Sequence, residues 1–337
     1  MLIADRWKDY KVIDASSGEK LEDFGGYLLI RPDPQVIWKT EREAQGWKKP
    51  NAHYHRSQKG GGSWEFFDLP KQWQISYELP EGEGPAERKV QDASAPAKDK
   101  MTASPADTAS GHVSEPKAGS RSNRIVFNLK PFSFKHTGVF PEQAVNWDRC
   151  SRLIRKRLER TGKAPKVLNL FAYTGGATLA AAASGAELTH VDSSKGMVTW
   201  AKENASASGL SEAPIRYLVD DCTKFVEREL RRGHTYDAII MDPPSYGRGP
   251  KGEIWKIEDD IFDFVKLCER LLSDEALFFL INSYTTGLQA GVLSYMLSSI
   301  VASRHKGRVE SDEIGLPVME NGLILPCGAA GLWVGEA

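Results

Sequence analysis

The chain has 337 residues, 41% of them hydrophobic, enough for a real core in one large domain or two ordinary ones. Lys and Arg number 44 against 45 Asp and Glu, a formal net charge of −1, which excludes a globally basic nucleic-acid binder and makes any cationic surface a local one. The 4 cysteines, Cys150, Cys222, Cys268 and Cys327, are widely spaced; that excludes a disulfide framework and suits buried thiols in a reducing compartment.

The first residues, MLIADRWKDYK, are charged and lack the apolar h-region of a signal peptide. No apolar run approaches the ~20 residues of a membrane span, so the expectation is a cytoplasmic protein. Strand-like runs follow at 10–14, 27–31, 36–39, 63–68 and 73–79, separated by turn formers such as Ser17-Gly18 and Asp33-Pro34. Trp7, Trp38, Trp47, Trp64 and Trp73 fall in this stretch, and the spacing predicts a small β-rich barrel or sandwich. Lys39, Arg42, Lys48, Lys49, Arg56 and Lys59 outnumber Glu41 and Glu43 here, with Trp47, His53, Tyr54 and His55 among them. Basic residues interleaved with aromatics suit single-stranded RNA. They also suit a solvated face over a tryptophan core. The histidines lack a second ligand pair at useful spacing, so no metal site is expected.

Residues 81–122 carry no aromatic residue, four prolines and many Ala and Ser. Such a tract cannot bury enough apolar area to offset the entropy of ordering, and it reads as a disordered insertion. Its flanks, 73–79 and 124–129, alternate like strands. An overgrown hairpin loop fits better than a domain boundary, because loop closure grows only logarithmically costly with length.

From about residue 140 the pattern alternates helix and strand. Helices are expected at 142–160, 175–184, 194–207, 222–232, 257–272 and 286–303. Strands are expected at 166–171, 187–192, 215–220, 236–242 and 276–283, then near 308–314 and 331–335. The expectation is an α/β fold: a doubly wound, seven-stranded, Rossmann-like sheet. The last two strands, joined through Pro317 and a glycine-rich turn, would form a C-terminal antiparallel hairpin at one edge.

Open α/β sheets bind ligands at the carboxyl ends of their strands, and four such tips carry suitable groups. The first is the turn Phe171-Ala172-Tyr173-Thr174-Gly175-Gly176, whose glycines would let backbone approach a ligand. Asp192, the second, can accept hydrogen bonds from ribose hydroxyls. Dinucleotides and S-adenosylmethionine both use this geometry, but a pyrophosphate calls for G-x-G-x-x-G, and the glycines here are too few. The third is Asp220-Asp221-Cys222, where Asp221 could accept from an adenine amino group or simply cap a helix. The fourth is Asp242-Pro243-Pro244-Ser245-Tyr246. Its prolines hold extended geometry and remove two donors, leaving carbonyls and Asp242 as acceptors for a base, with Tyr246 to stack on it. The loop 247–256, with Arg248, Lys251, Lys256 and Trp255, reads either as a cationic lid or as a solvated loop anchored by Trp255.

The set LNLFAYTGG, HVD, DDCTKFV and MDPPSYGRGPKGE resembles the class I S-adenosylmethionine-dependent methyltransferases. More narrowly it is similar to the branch holding bacterial 23S rRNA methyltransferases that act on cytosine C5 or guanine N7. KHTGVFPEQAVNW at 135–147 and LPCG at 325–328 extend the likeness over most of residues 124–337. The resemblance implies S-adenosylmethionine as cofactor, contacted by the turn at Tyr173, Thr174 and Gly175, by Asp192 and Asp221, and by Gln143. Together with the strand and helix pattern, this divides the chain into a β-rich domain of residues 1–80 with 123–133, the insertion 81–122 and a methyltransferase domain of 134–337.

One departure shapes the chemistry. Cytosine-C5 enzymes of this kind carry a cysteine right after the D-P-P or at the end of the next strand; here Ser245 and Asn282-Ser283-Tyr284 stand there. A serine hydroxyl is a poor substitute for a thiolate. A base nitrogen has its own lone pair and needs alignment more than covalent activation. The expectation is therefore methylation of a base nitrogen in rRNA or other structured RNA. Asp242, Pro243, Pro244 and Tyr246 would act at the acceptor, and Lys48, Lys49, Arg56 and the 247–256 loop would contact RNA. A small-molecule or protein methyltransferase, a non-catalytic RNA-binding protein and a dehydrogenase are the alternatives; the last leaves Asp242-Pro243-Pro244 without a purpose.

Overall fold

Alternating burial folds the first part of the chain into strands, and the 3.6-residue period of the rest lays helices over both faces of a larger sheet. The structure, a computed structural model, describes residues 1–57, 61–81, 123–132, 135–248 and 254–336. The insertion read at 81–122 lies, beyond Glu81, outside the described residues until Asn123.

After the two-residue strand β1 (Leu2–Ile3), strands β2 (Tyr10–Ser16), β3 (Glu19–Phe24) and β4 (Tyr27–Pro32) form an antiparallel meander. β5 (Ala52–Arg56) runs parallel to β4, and β6 (Gly62–Phe66) closes a five-stranded sheet in the order β2-β3-β4-β5-β6. The expected strand at 36–39 is absent. Asp33 turns the chain, its carboxylate accepting from Gln35 N at 3.1 Å and its carbonyl from Val36 N at 3.2 Å. The carbonyls of Val36 and Trp38 then serve the Ser17-Gly18 turn rather than a neighbouring strand.

The sequence reading missed β3 for a physical reason. Its inward positions include Lys20 and Glu22, so the hydrophobic alternation is broken by buried charge. Arg31 on β4 grips Glu22 with Nε at 2.6 Å and Nη2 at 2.7 Å, Tyr10 donates its hydroxyl at 2.7 Å, and Lys20 lies 3.5 Å from both Glu22 and Asp33. Burial alone would raise the Glu22 carboxyl, but Arg31 and then Lys20 hold it down at about 2. Glu22→Ala leaves the buried Arg31 without a carboxylate and Lys20 with Asp33 alone, and denaturant unfolding of the variant should show a loss of about 3–5 kcal/mol. A midpoint within error of the parent protein would refute this account of the sheet.

β7 (Trp73–Glu78) and β8 (Arg124–Leu129) pair antiparallel, as the strand-like flanks of the insertion led one to expect. The rest of the chain supplies α1 (Ala144–Thr161), β9 (Lys166–Leu170), α2 (Gly176–Ala183), β10 (Glu187–Asp192), α3 (Lys195–Ala207), β11 (Ile215–Val219), α4 (Cys222–Arg231) and β12 (Ala238–Met241). The short pair β13 (Tyr246–Arg248) and β14 (Ile254–Lys256) follows, then α5 (Ile257–Glu269), β15 (Phe278–Ser283), α6 (Ala290–Ile300), β16 (Gly307–Pro317) and β17 (Ile324–Gly335).

The large sheet has the order β1-β16-β17-β15-β12-β9-β10-β11. β9 to β12 and β15 run parallel, and β17 runs antiparallel to both of its neighbours. It is the expected doubly wound sheet with one strand more, because the first residues tuck in beside β16, where Ala4 N donates to Gly315 O at 3.0 Å. Residues of α1, α2 and α3 pack on one face, those of α4, α5 and α6 on the other. The first of these clusters runs on through Phe127, Tyr77, Tyr10 and Phe24, so the β-rich part and the large sheet share one apolar core. The last two strands are longer than expected. The segment read as a glycine-rich turn is itself strand: a Cβ on Gly328 would lie 2.7 Å from Ser283 O, and one on Gly331 2.9 Å from Leu293 Cβ. Close approach of β15 and α6 requires those glycines, and the reversal falls at residues 318–323 instead.

Candidate active site

β9 and β10 end side by side, and the turn after β9 is built against the tip of β10. Phe171 and Tyr173 adopt φ of 53° and 51°, the left-handed region that ordinary side chains avoid. Asp192 supports that geometry, accepting from Tyr173 N at 2.9 Å with one carboxylate oxygen and from Ser194 N, ahead of α3, at 2.8 Å with the other. Burial raises its pKa, and these two amides oppose the rise.

The glycines act in a way the sequence reading did not foresee. Gly175 sits at φ 89°, and a Cβ there would stand 3.1 Å from Ala201 Cβ; a Cβ on Gly176 would meet Trp147 Cζ2 at 2.6 Å. Protein, not ligand, fills the space these missing side chains leave, and it lets α1, α2 and α3 close around the turn. Thr174 is likewise turned inward. Its hydroxyl donates to Gly138 O at 2.5 Å and its carbonyl accepts from Asn204 Nδ2 at 3.0 Å, so its side chain staples the turn to the 135–140 segment.

Asp221 caps α4, its carboxylate accepting from Lys224 N at 2.9 Å, while Asp220 is held by Arg228. Gln143 stands in the 3-10 turn Pro141–Gln143, its amide engaged at both ends: Nε2 donates to the Tyr284 hydroxyl at 2.6 Å, and Oε1 accepts from Asn146 Nδ2 at 3.0 Å. Asn146 reaches on to Asn282 Oδ1 at 2.9 Å. This chain of amides joins the start of α1 to the tip of β15. Glu142, Asn146, Asn282 and Tyr284 were missed as site residues. The sequence reading places Asn282 and Tyr284 only where a cysteine would stand, at the next strand tip beyond Asp242, and assigns them no role of their own.

Asp242 directly follows β12 and lines one cavity with Gln143 and Asn282 of this network. Gln143, Phe140, Tyr173, Asn169, Asn282 and Asp242 line a narrow cavity of about 50 Å³. Burial, then the neighbouring Glu142 carboxyl, pushes the Asp242 pKa up to about 7. Glu142 is itself raised by burial, with Lys20 of the N-terminal sheet opposing. Pro243 is buried and Pro244 exposed. The Pro244 carbonyl, expected to hold a base, accepts from the Trp255 indole at 2.7 Å. Trp255 packs on Phe171 at 5.2 Å and on Phe264 at 5.6 Å, so it anchors β13–β14 to the turn after β9. Tyr246, half exposed on β13, pairs with Lys256. Of the loop expected to act as a lid, 249–253 lie outside the described residues.

All four cysteines are free and buried. Burial raises each thiol: Cys150 to about 12, and Cys327 well up with Glu142 adding to the effect. No thiolate nucleophile is on hand. A larger depression of about 680 Å³, lined by Lys166, Glu187, Arg216, Glu229 and His234, lies at the opposite edge of the sheet. It opens at the amino ends of β9, β10 and β11, away from the strand tips where such sheets hold ligands, and Glu229 in it is satisfied by Arg232, His234 and Tyr236.

The groups gathered here suit the chemistry of an adenosyl sulfonium. Asp192 is an acceptor of the kind ribose hydroxyls need, and Phe140 and Tyr173, ring centroids 5.3 Å apart, bring aromatic rings to the cavity, with Tyr284 5.8 Å from Phe140. A pyrophosphate fits poorly. Tyr173 N is bound to Asp192 and Gly175 N to Ala172 O, and no Lys or Arg lines the cavity among the described residues. Those residues include neither a His/Cys/Asp/Glu cluster able to hold a metal nor a helix long and apolar enough to cross a membrane.

Comparison with known proteins agrees with this chemistry. Residues 124–293 match the family model of S-adenosylmethionine-dependent methyltransferases. The ribosomal RNA large subunit methyltransferase K/L of Shewanella frigidimarina is 32% identical over 149 residues, 44% of this chain. The chain spans only 20% of that relative's length. The crystal structure of a SAM-dependent methyltransferase from Agrobacterium tumefaciens aligns with a TM-score of 0.78 at 30% identity, over 99% of this chain and 92% of that one. SMU.776, in complex with SAH, aligns over 98% of this chain and 76% of its own at 18% identity, TM-score 0.64, a likeness of fold.

Proposed function

The chain belongs to the S-adenosylmethionine-dependent methyltransferase family, and from that premise we propose that it methylates a base nitrogen of ribosomal or other structured RNA. The observation that carries the choice of atom is Asp242, a carboxylate poised near neutrality beside the cofactor turn, with every thiol in the chain buried and protonated. When bound, S-adenosylmethionine supplies an electrophilic methyl group on a sulfonium; Tyr173, Asp192, Asp221 and Gln143 are the residues we assign to hold it, with Gly175 shaping the turn through its positive φ. Asp242 accepts a hydrogen bond from an amino or ring N–H of the base and takes up the proton that the nitrogen sheds as it gains the methyl group. Tyr246, with Pro243 and Pro244, shapes the acceptor side. The remaining Pro244 lone pair is available to a base, its other partner being Trp255.

RNA as the substrate class is supported by what the Shewanella relative is named for and by the exposed Lys48, Lys49 and Arg56 of the N-terminal part, to which we add the β13–β14 pair as an RNA contact. The test is transfer from radiolabelled cofactor into total RNA of a strain lacking the gene, followed by mass spectrometry of nucleosides. We expect one nucleoside to gain a methyl on a base nitrogen. Label in protein or small molecules alone, or on a ring carbon, would overturn the assignment.

A further inference from the structure

The edge of the N-terminal sheet carries an exposed aromatic row that the methyl-transfer machinery does not use. On one face of the β5–β6 hairpin, Arg56, Trp64 and Phe66 follow one another: Tyr54 pairs with Trp64, Arg56 with Gly62, and Ala52 with Phe66. The Trp64 and Phe66 rings stack at 6.1 Å and 19°, yet Phe66 is 55% exposed. Trp64 donates its indole N–H to Phe132 O at 3.1 Å, which brings Phe132, 39% exposed, to the end of the row. Phe132 leans edge-on against Trp200 of α3 at 6.2 Å, and Lys130 Nζ lies 4.3 Å over the Trp200 ring. Lys130, Lys195, Thr199 and Glu203 then border an open depression of about 390 Å³. The row therefore runs from the N-terminal sheet onto the helix that follows Asp192.

We infer that this row, Trp64–Phe66–Phe132 flanked by Arg56, Lys130 and Lys195, is a stacking platform for an unpaired RNA strand. It rests on the RNA reading above and assigns that substrate a docking face. The charge pattern selects this occupant over an apolar protein partner. Cations stand at both ends of the aromatic row, with Glu203 the one acid bordering the depression among the described residues, while Glu65 points to the opposite face and is engaged by His55 at 2.8 Å. Rings for base faces and cations for phosphates are what single strands require. The platform also leads toward the pocket: past Phe132 the chain reaches Gly138, bonded to Thr174, and Phe140, packed on Tyr173.

The test is fluorescence anisotropy of a labelled twelve-nucleotide oligouridylate with the full chain. Phe66→Ala with Phe132→Ala, both exposed, should weaken binding at least about tenfold and leave the salt dependence unchanged. Arg56→Ala with Lys130→Ala should flatten the salt dependence. Phe262→Ala, an exposed ring elsewhere, should change nothing. Aromatic-variant affinity within twofold of the parent protein overturns the platform and leaves the row to a protein partner; so does a parent protein that does not bind the oligonucleotide. Methylation of RNA by the parent protein is scored separately. A protein that methylates RNA but fails the aromatic comparison loses the platform alone, and one that neither binds nor methylates RNA loses the functional reading too.

Discussion

Methyl transfer by this protein should fall about tenfold for each pH unit below 7 and level off above it. Asp242 sets the limb. It acts as a carboxylate, the form present above its pKa, and burial with Glu142 nearby has moved that pKa up to about 7. As pH falls through that value the acceptor is protonated and activity is lost in proportion to the ionised fraction. The quantity to measure is kcat/KM at cofactor concentrations well below saturation, which reads the ionisation of the protein before a sulfonium sits beside Asp242. Glu142→Gln removes the repelling charge, so the limb should move to lower pH. Asp242→Asn should cost roughly 10²- to 10⁴-fold in rate, the usual worth of a positioned acid or base, with cofactor affinity retained. A flat profile between pH 6 and 8, or a limb that Glu142→Gln leaves in place, would remove Asp242 from the chemistry.

Asp192→Ala should raise the dissociation constant for S-adenosylmethionine by about 100-fold or more in titration calorimetry. The size follows from what the carboxylate does before any ligand arrives. It holds Tyr173 N at 2.9 Å and Ser194 N at 2.8 Å, keeping Phe171 and Tyr173 at positive φ. Hydrogen bonds to a charged group contribute about 1.5–3 kcal/mol each, so two bonds accepted from the ribose in the proposed role would together exceed the ~2.7 kcal/mol that the fold-change represents, and a turn no longer held in shape adds the cost of ordering it on binding. Asp221→Ala, which removes one cap bond, should cost about tenfold. Unaltered affinity in a folded Asp192→Ala protein would refute the assignment of the turn as the cofactor site.

The parts of this molecule that were legible in the sequence are those in which neighbours along the chain are also neighbours in space. β9, its turn, α2 and β10 form one local crossover, so apolar runs, glycines and the terminal acid carry their meaning within 27 residues. Asp242-Pro243-Pro244 stood out because prolines after a buried strand are conspicuous. What the sequence hid is long-range. Glu142 modulates Asp242 from a hundred residues away, and the amide chain Gln143–Asn146–Asn282 joins two elements that no periodicity connects. The glycines were seen but misread, since a close approach by Trp147 or Ala201 leaves the same trace in sequence as one by a ligand. β3 was lost because Lys20 and Glu22, inward and mutually neutralised, look like surface residues until Arg31 is placed beside them.

The far edge of the large sheet bears on how the chain can be made. Leu2 pairs with Ile314, and beyond the end of β16 Val318 bridges to Val12, with Met319 N donating to Val12 O at 3.0 Å. Residues of β1 and β2 therefore find their partners far along the chain, among residues translated long after them. Neither the outer edge of the large sheet nor the edge of the N-terminal one can be completed until β16 and the turn after it have been made. Such pairing at extreme separation is slow to form and leaves strand edges open in the meantime. The nascent N-terminal sheet must wait, exposed, for a hairpin that has yet to be translated.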